Sequence, residues 1–256
     1  MSALIVIPAR LGATRLPQKP LRLLGGKPLI VRVWEQVMDM GVAQRVVVAT
    51  DSEKVAVAAR AAGAEVVLTR ADHPSGTDRV AEVASRQEYA AHDVIVNVQG
   101  DEPYLRSDVV RAATSLVEQG SFAVGTAACP ASAEILLDAA VVKVVTDVHG
   151  RALYFSRAPI PWLRDPSDRS QRDAILKQHL GVYAYTREAL SLWVSLPPHP
   201  LEIVERLEQL RALAAGIPIG VASVAALTLG GIDTEEDLAS ANARWSSINS
   251  TASGAH

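Results

Sequence analysis

The sequence predicts an α/β fold with a mainly parallel sheet. Short apolar runs rich in β-branched residues recur without polar alternation, as strands covered on both faces require. Helix-period segments separate them, which is the rhythm of βαβ units. From about Phe122 the rhythm changes, and the second half reads as more antiparallel.

Leu4–Ile7 is expected to be the first strand. A loop punctuated by Gly and Pro follows, then an amphipathic helix from about Pro28 to Met40. Arg45–Thr50 is a second, buried strand; Asp51 can cap a helix running to Ala62; Glu65–Thr69 is a third strand. Asp78–Ala91 reads as helical and Val94–Val98 as a fourth strand. Phe122–Ala128, Val141–Asp147 and Arg151–Phe155 are strand-like, and His149-Gly150 between the last two signals a hairpin. Arg157–Gln178 is polar, carries three prolines and reads as a loop. Leu180–Tyr185 is a strand, Glu202–Ala215 a helix, Ile219–Ala225 a strand and Glu235–Trp245 a last helix. With no repeat, low-complexity block or clear linker, residues 1–246 are expected to form one domain, and 247–256 a flexible tail.

A chain of 256 residues that is 49 % hydrophobic has enough apolar surface for a buried core. Its 25 basic and 28 acidic residues leave a net charge of −3, which argues against a nucleic-acid binder. Cys129 is the only cysteine, so neither an intramolecular disulfide nor a cysteine metal cluster is available, and a reducing compartment is expected. The amino terminus has no basic start or long apolar run, and no stretch approaches the ~20 apolar residues of a membrane span. The expectation is a cytoplasmic protein without membrane insertion.

Three loops hold candidate chemistry. The first follows strand one, Pro8-Ala9-Arg10-Leu11-Gly12-Ala13-Thr14-Arg15-Leu16-Pro17-Gln18-Lys19-Pro20. Ligands in open α/β sheets bind beyond the carboxyl ends of strands, and three cations there can wrap a polyphosphate; an ordinary solvated basic loop is the alternative. Neither a Walker loop nor Gly-x-Gly-x-x-Gly is present. The second loop, Asn97-Val98-Gln99-Gly100-Asp101-Glu102-Pro103, carries an acidic pair suited to Mg²⁺, with Asp101 the better ligand; a plain turn with a capping Asp is the alternative. In the third, Gly230-Gly231-Ile232-Asp233-Thr234-Glu235-Glu236-Asp237, either Asp233 or Thr234 could cap the helix, which leaves open whether Asp233 also reaches a metal. Arg70–Thr77 could line a nucleotide pocket or be a loop with an N-cap. His179, Tyr183 and Tyr185 alternate on one strand and share a face, where a lone histidine is more often structural. Glu205, Glu208 and Gln209 fall on one expected helix, where charges usually form a solvated face.

Taken in order, these segments closely resemble the 3-deoxy-manno-octulosonate cytidylyltransferases, or CMP-KDO synthetases, from Ile5 to about Leu238. The likeness runs through Ile-Pro-Ala-Arg10, Thr14-Arg15-Leu-Pro17-x-Lys19-Pro20, Thr69-Arg70-Ala-Asp72-His73-x-Ser75-Gly76-Thr77 and Val-Asn-Val-Gln99-Gly-Asp101-Glu102-Pro103. It continues in Ala152-Leu-Tyr154-Phe155-Ser156-Arg157, His179-Leu-Gly181-Val-Tyr183-Ala-Tyr185, Leu207-Glu208-Gln209-Leu210-Arg211 and Gly231-Ile-Asp233-Thr. The resemblance implies a Rossmann-like nucleotidyltransferase fold, a mainly parallel central sheet with a smaller antiparallel dimerisation and sugar-binding portion, and a homodimer. It implies that CTP and KDO, with Mg²⁺, give CMP-KDO and pyrophosphate for lipopolysaccharide synthesis. Carried over by position, Arg10, Lys19, Asp101 and Asp233 are the catalytic set. Pro8, Ala9, Arg10, Arg15, Lys19, Arg70, Ser75 and Gly76 bind CTP; Asp101 and Asp233 hold Mg²⁺. Gln99, Arg157, His179, Tyr183, Glu208 and Gln209 surround the sugar acid. Glu235 stands where a proline is common and Gln18 where a glycine is, neither on a proposed contact. The rival readings are another acidic sugar, such as 8-amino-KDO or a sialic acid, and a non-catalytic nucleotide-binding regulator, which the retention of both aspartates and all three cations disfavours.

Overall fold

The computed structural model describes residues 2–12, 15–225 and 230–253. Its contacts divide the chain into two compact units: a first unit of Leu4–Ala90, Asn97–Arg106 and Thr228–His256, and a second of Met1–Ala3, Ala91–Val96 and Ser107–Leu227.

The first unit opens with β1 (Ala3–Ala9), buried at every residue. A 3₁₀ turn at Lys19–Leu21 and a short hairpin of β2 (Leu23–Leu24) and β3 (Lys27–Pro28) lead into α1 (Leu29–Asp39). Then come β4 (Arg45–Thr50), α2 (Glu53–Ala61), β5 (Glu65–Leu68) and α3 (Gly76–Ser85). β4 lies between β1 and β5, parallel to both, with Leu4 opposite Arg45 and Ala9 opposite Thr50. The strand ends at Ala9, Thr50 and Leu68 therefore face the same way. α1 buries Leu29, Ile30, Val33 and Val37, a helical stripe in which each fully buried side chain contributes about 1.5–3 kcal/mol.

Two helix starts differ from expectation. Ser52 caps α2, its hydroxyl accepting from Val55 N at 3.5 Å, while the Asp51 carboxylate lies 3.4 Å from the guanidinium of Arg79. Ser75 caps α3, so that helix begins two residues early. It ends at Ser85, because Arg86 is extended, and a single 3₁₀ turn at Gln87–Tyr89 follows.

The second unit contains β6 (Val94–Asn97), α4 (Ser107–Glu118), β7 (Val124–Pro130), β8 (Lys143–Thr146) and β9 (Ala152–Ser156). It continues with α5 (Arg169–Ile175), β10 (Lys177–Thr186), α6 (Arg187–Ser195), α7 (Pro200–Glu205), α8 (Gln209–Ala214) and β11 (Ile219–Ser223). The strand order is β11-β7-β10-β6, with β8 on β10 and β9 on β8. β10 runs antiparallel to β7 and is bulged between Leu180 and Tyr183. The β8–β9 hairpin forms as expected; Gly150 takes a φ of +79° and the Asp147 carboxylate accepts from His149 N and Arg151 N.

The sequence reading did not anticipate α4 or α6, and α5 occupies part of the expected loop. The expected helix Glu202–Ala215 is two helices, because Arg206 turns to φ +55° and closes α7 in the left-handed region. Strand limits otherwise move by at most three residues, and those of β4 not at all.

The chain returns to the first unit for α9 (Glu235–Ser253), which passes the expected end at Trp245 because no Gly or Pro interrupts it before Gly254. Residues 254–256 of the expected tail lie outside the described residues, as do Ala13 and Thr14 of the first loop. Asn242 accepts from Gly25 N at 2.9 Å and donates to Leu23 O at 3.0 Å. Gly25 has no alternative here: a Cβ would stand 2.2 Å from the Trp245 ring.

Candidate active site

A cavity of about 390 Å³ lies in the first unit, at the carboxyl end of β1. The end of β1 lines it with Pro8 and Ala9, and the loop that follows with Arg10, Gly12, Arg15 and Lys19. The start of α3 adds Ser75, Gly76 and Arg79, the segment after β6 adds Gln99, Gly100 and Asp101, and the turn before α9 adds Asp233. Gly100 is required by close approach, since a Cβ there would stand 2.7 Å from the Pro8 carbonyl.

At the centre is Lys19, whose side chain is 12 % exposed. Its Nζ donates to Asp101 Oδ2 and, at 2.7 Å, to Asp233 Oδ1. Arg15 Nη2 lies 3.1 Å from Asp233 Oδ2. Burial alone would push the ammonium down, but the two carboxylates outweigh it and hold Lys19 above its ordinary value. Glu102 is pushed up to about 7, first by burial and then by Asp101, with Lys19 partly offsetting and Asp233 adding.

The question of which residue caps α9 is settled by geometry. Thr234 Oγ1 accepts from Asp237 N at 3.1 Å, and Asp237 Oδ2 accepts from the backbone N–H groups of Asp233 and Thr234 at 3.0 and 2.9 Å. The cap is built from Thr234 and Asp237, which leaves the Asp233 carboxylate for Lys19 and Arg15. Asp101 and Asp233 thus direct hard anionic oxygens at one cation, a donor set that fits Mg²⁺. Among the described residues no third His, Cys, Asp or Glu completes an all-protein cage.

Arg70 does not line the cavity: its exposed guanidinium makes a fork with Asp72, at 2.9 Å on both arms. Its backbone N donates instead to Glu82, which also meets His73 Nε2 at 2.5 Å. The arginine that lines this side of the cavity is Arg79. Sequence reading passed over that residue, although a charge in the apolar stripe of Val80, Val83 and Ala84 is a readable signal.

Apart from Gln99, the expected sugar contacts lie in the second unit. The His179 ring meets Phe155 edge-on at 5.0 Å and Tyr183 at 5.4 Å, and His179 Nε2 is 2.9 Å from Thr126 Oγ1. Burial holds His179 down at about 3. Burial, then Tyr185 and Glu208, push Tyr183 well up, and its buried hydroxyl has no hydrogen-bond partner among the described residues. Gln209 is buried at the start of α8. Arg157 follows β9; its Nε donates to Glu205 O at 2.8 Å and its Nη1 to Ala139 O at 2.8 Å. Its own carbonyl accepts from Lys143 Nζ at 2.7 Å, and the Glu205 carboxylate takes Ser156 Oγ and Arg157 N. Lys143 and Glu205, neither of which was expected at the site, therefore fix the arginine's surroundings.

A family model described as Cytidylyltransferase matches residues 4–219. A 3-deoxy-manno-octulosonate cytidylyltransferase from Gemmatimonas aurantiaca is 57 % identical over 256 residues, covering 100 % of this chain and 99 % of the relative. One from Pseudomonas syringae pv. tomato is 47 % identical over 240 residues, covering 91 % and 94 %. A solved structure of CMP:2-keto-3-deoxy-manno-octonic acid synthetase complexed with CTP matches with a TM-score of 0.87 at 39 % identity, covering 97 % of this chain and 100 % of that one. A cytidylyltransferase from Leptospira borgpetersenii, with a TM-score of 0.59 and 18 % identity over 94 % of this chain and 85 % of that one, shares the fold alone.

Proposed function

The chain belongs to the cytidylyltransferase family, and from that premise we propose that it transfers the cytidylyl group of CTP to 3-deoxy-D-manno-octulosonate (KDO), giving CMP-KDO and pyrophosphate. It is an enzyme of the nucleotidyltransferase class. The observation that supports the reading most is Lys19 held between Asp101 and Asp233 in a cavity that Arg10 and Arg15 also line. Three cations with two convergent carboxylates suit a nucleoside triphosphate that arrives with a divalent cation.

In this reading Arg10, Arg15 and Lys19 hold the triphosphate, with Pro8, Ala9, Ser75 and Gly76 beside the nucleoside. The anomeric hydroxyl of KDO attacks the α-phosphorus of CTP. The bond to the bridging oxygen of the β-phosphate breaks, pyrophosphate departs in line, and the hydroxyl proton passes to solvent. The chain contributes position and charge: its three cations absorb the negative charge that grows on the leaving pyrophosphate. Mg²⁺ held by Asp101 and Asp233 would, when bound, neutralise phosphate charge and make the attacking hydroxyl more acidic. No protein nucleophile is invoked, and Cys129 is buried in β7. Gln99, Arg157, His179, Tyr183, Glu208 and Gln209 receive the sugar acid, whose carboxylate suits the Arg157 guanidinium. The product would supply KDO for lipopolysaccharide.

The proposal extends to a homodimer, which would cover the exposed Trp162, Ile203 and Val204 of the second unit; light scattering on the purified protein checks this. We assign the enzyme to the cytoplasm on its one cysteine, Cys129, which is buried and unpaired as a reducing compartment allows; no helix among the described residues is long and apolar enough to cross a membrane.

The test is pyrophosphate release with CTP and Mg²⁺, comparing KDO, 8-amino-KDO and sialic acid, with ATP, GTP and UTP as nucleotide controls. Release with CTP and KDO alone is expected. Release with CTP and a different sugar acid would keep the chemistry and replace the acceptor. Silence with every pair would overturn the reading.

A further inference from the structure

We propose that Arg79 is a positioning residue for the nucleoside half of the substrate, setting affinity for CTP rather than the rate of transfer; the proposal deepens the cytidylyl-transfer reading and rests on it. Arg79 is 3 % exposed and lines the cavity next to Ser75 and Gly76. Its Nη1 donates to Thr69 Oγ1 and, at 3.3 Å, to Arg70 O. Its Nη2 lies 3.4 Å from Asp51 Oδ2. One side chain on α3 therefore joins the residue just after β4 to the residues just after β5, behind the part of the cavity wall that Arg79 makes with Ser75 and Gly76.

Stability alone is a poor reason for such a contact. A buried Arg–carboxylate pair is often no better than well-packed apolar residues, and this one shares the buried face of its helix with Thr77, Val80, Val83 and Ala84. The pair is also incomplete, since the buried Asp51 Oδ1 has no hydrogen-bond partner among the described residues. Arg79 Nε makes no hydrogen bond among the described residues and is not one of their sealed, unpartnered atoms, so its remaining access is to the cavity that the residue lines. A guanidinium N–H there meets an acceptor on the nucleoside, and the keto oxygen of a pyrimidine is the matching class. The phosphates are served from the loop after β1 by Arg10, Arg15 and Lys19.

The experiment titrates CTP in the pyrophosphate-release assay with KDO and Mg²⁺, comparing the wild type with Arg79→Met and Arg79→Lys, and measures CTP binding to each by calorimetry. For Arg79→Met, KM and Kd for CTP are expected to rise about tenfold, while kcat stays within about threefold and KM for KDO is unchanged. Arg79→Lys should recover part of the affinity, because it restores the charge without the fork that spans Thr69 and Asp51. Unaltered CTP affinity in Arg79→Met would overturn the proposal. So would a joint fall in kcat, both affinities and thermal stability, the signature of a merely structural strut. If Arg79→Met does not fold, the double variant D51N/R79M, which buries no unpaired carboxylate, carries the same comparison. Wild-type silence in turnover would sink the parent reading alone, since the calorimetric comparison decides the role of Arg79 without it.

Discussion

Each unit holds one lysine that the fold takes out of water, and the two ammonium groups are treated in opposite ways. In the first unit Lys19 sits between the carboxylates of Asp101 and Asp233 and titrates above its ordinary value. In the second, Lys143 is fully buried and among the described residues donates only to backbone carbonyls: Asp138 O at 2.9 Å, Val141 O at 2.8 Å and Arg157 O at 2.7 Å. Burial pulls it below its ordinary value, with Asp138 partly offsetting, Arg157 adding to the fall and Glu205 opposing it. Neutral dipoles satisfy the hydrogen bonds of a cation without returning the solvation it lost, whereas carboxylates return charge for charge. The first arrangement presents anionic oxygens that a metal can use. The second ties a loop to the end of a strand.

That contrast is open to direct attack. The largest effect is expected from Asp101→Ala, which should lower turnover about a hundred- to a thousandfold while the circular dichroism spectrum stays that of the wild type. Turnover near normal would end the assignment of Asp101 to metal and charge. Next comes Lys143→Met, which leaves three carbonyls without their donor. Urea denaturation should show a loss of about 3 kcal/mol, and a neutral result would mean that the buried cation costs as much as its bonds return. The smallest effect concerns a third desolvated base, His179, held near 3 by burial against an ordinary 6.5. The unfolded chain takes up this proton first, so the contribution is complete above pH 6.5 and declines as pH falls from 6.5 toward 3. The ring keeps some solvent contact, so the slope should stay below the ~1.4 kcal/mol per pH unit of one full proton. His179→Gln should remove it, narrowing the stability gap to the wild type by about 1 kcal/mol between pH 6.5 and 5. An unchanged gap would show that the ring is not held neutral.

The parallel strands were legible because a strand covered on both faces has little choice of composition. Val46–Val48 admit no other reading, and β4 has its expected limits. α4 hid behind the same logic: its buried face includes Val109, Val110, Thr114 and Val117, β-branched residues that resemble a strand until their spacing is counted. The break at Arg206 was invisible, since a non-glycine residue in the left-handed region carries no local mark. In the site, each loop declared a charge but not its partner. Lys19 and Asp233 are 214 positions apart, and only the parallel sheet and the return of α9 bring them together. The division between Thr234 as cap and Asp233 as partner was likewise undecidable from adjacent residues with similar capping ability.

The return of the last helix also bears on how the protein is made. Synthesis proceeds at about 5–20 residues per second, so the 214 positions between Lys19 and Asp233 correspond to roughly 10–40 s on the ribosome. Throughout that interval the nascent chain has β1 and Lys19, and gains Asp101 on the way, but it lacks the second carboxylate and the Asn242 side chain that meets Leu23 and Gly25. The long central insertion that makes up most of the second unit emerges in the meantime as one continuous stretch, Ser107–Leu227. Activity is therefore among the last properties the polypeptide acquires: a chain truncated before Asp233 carries all three loop cations and only half of the carboxylate pair.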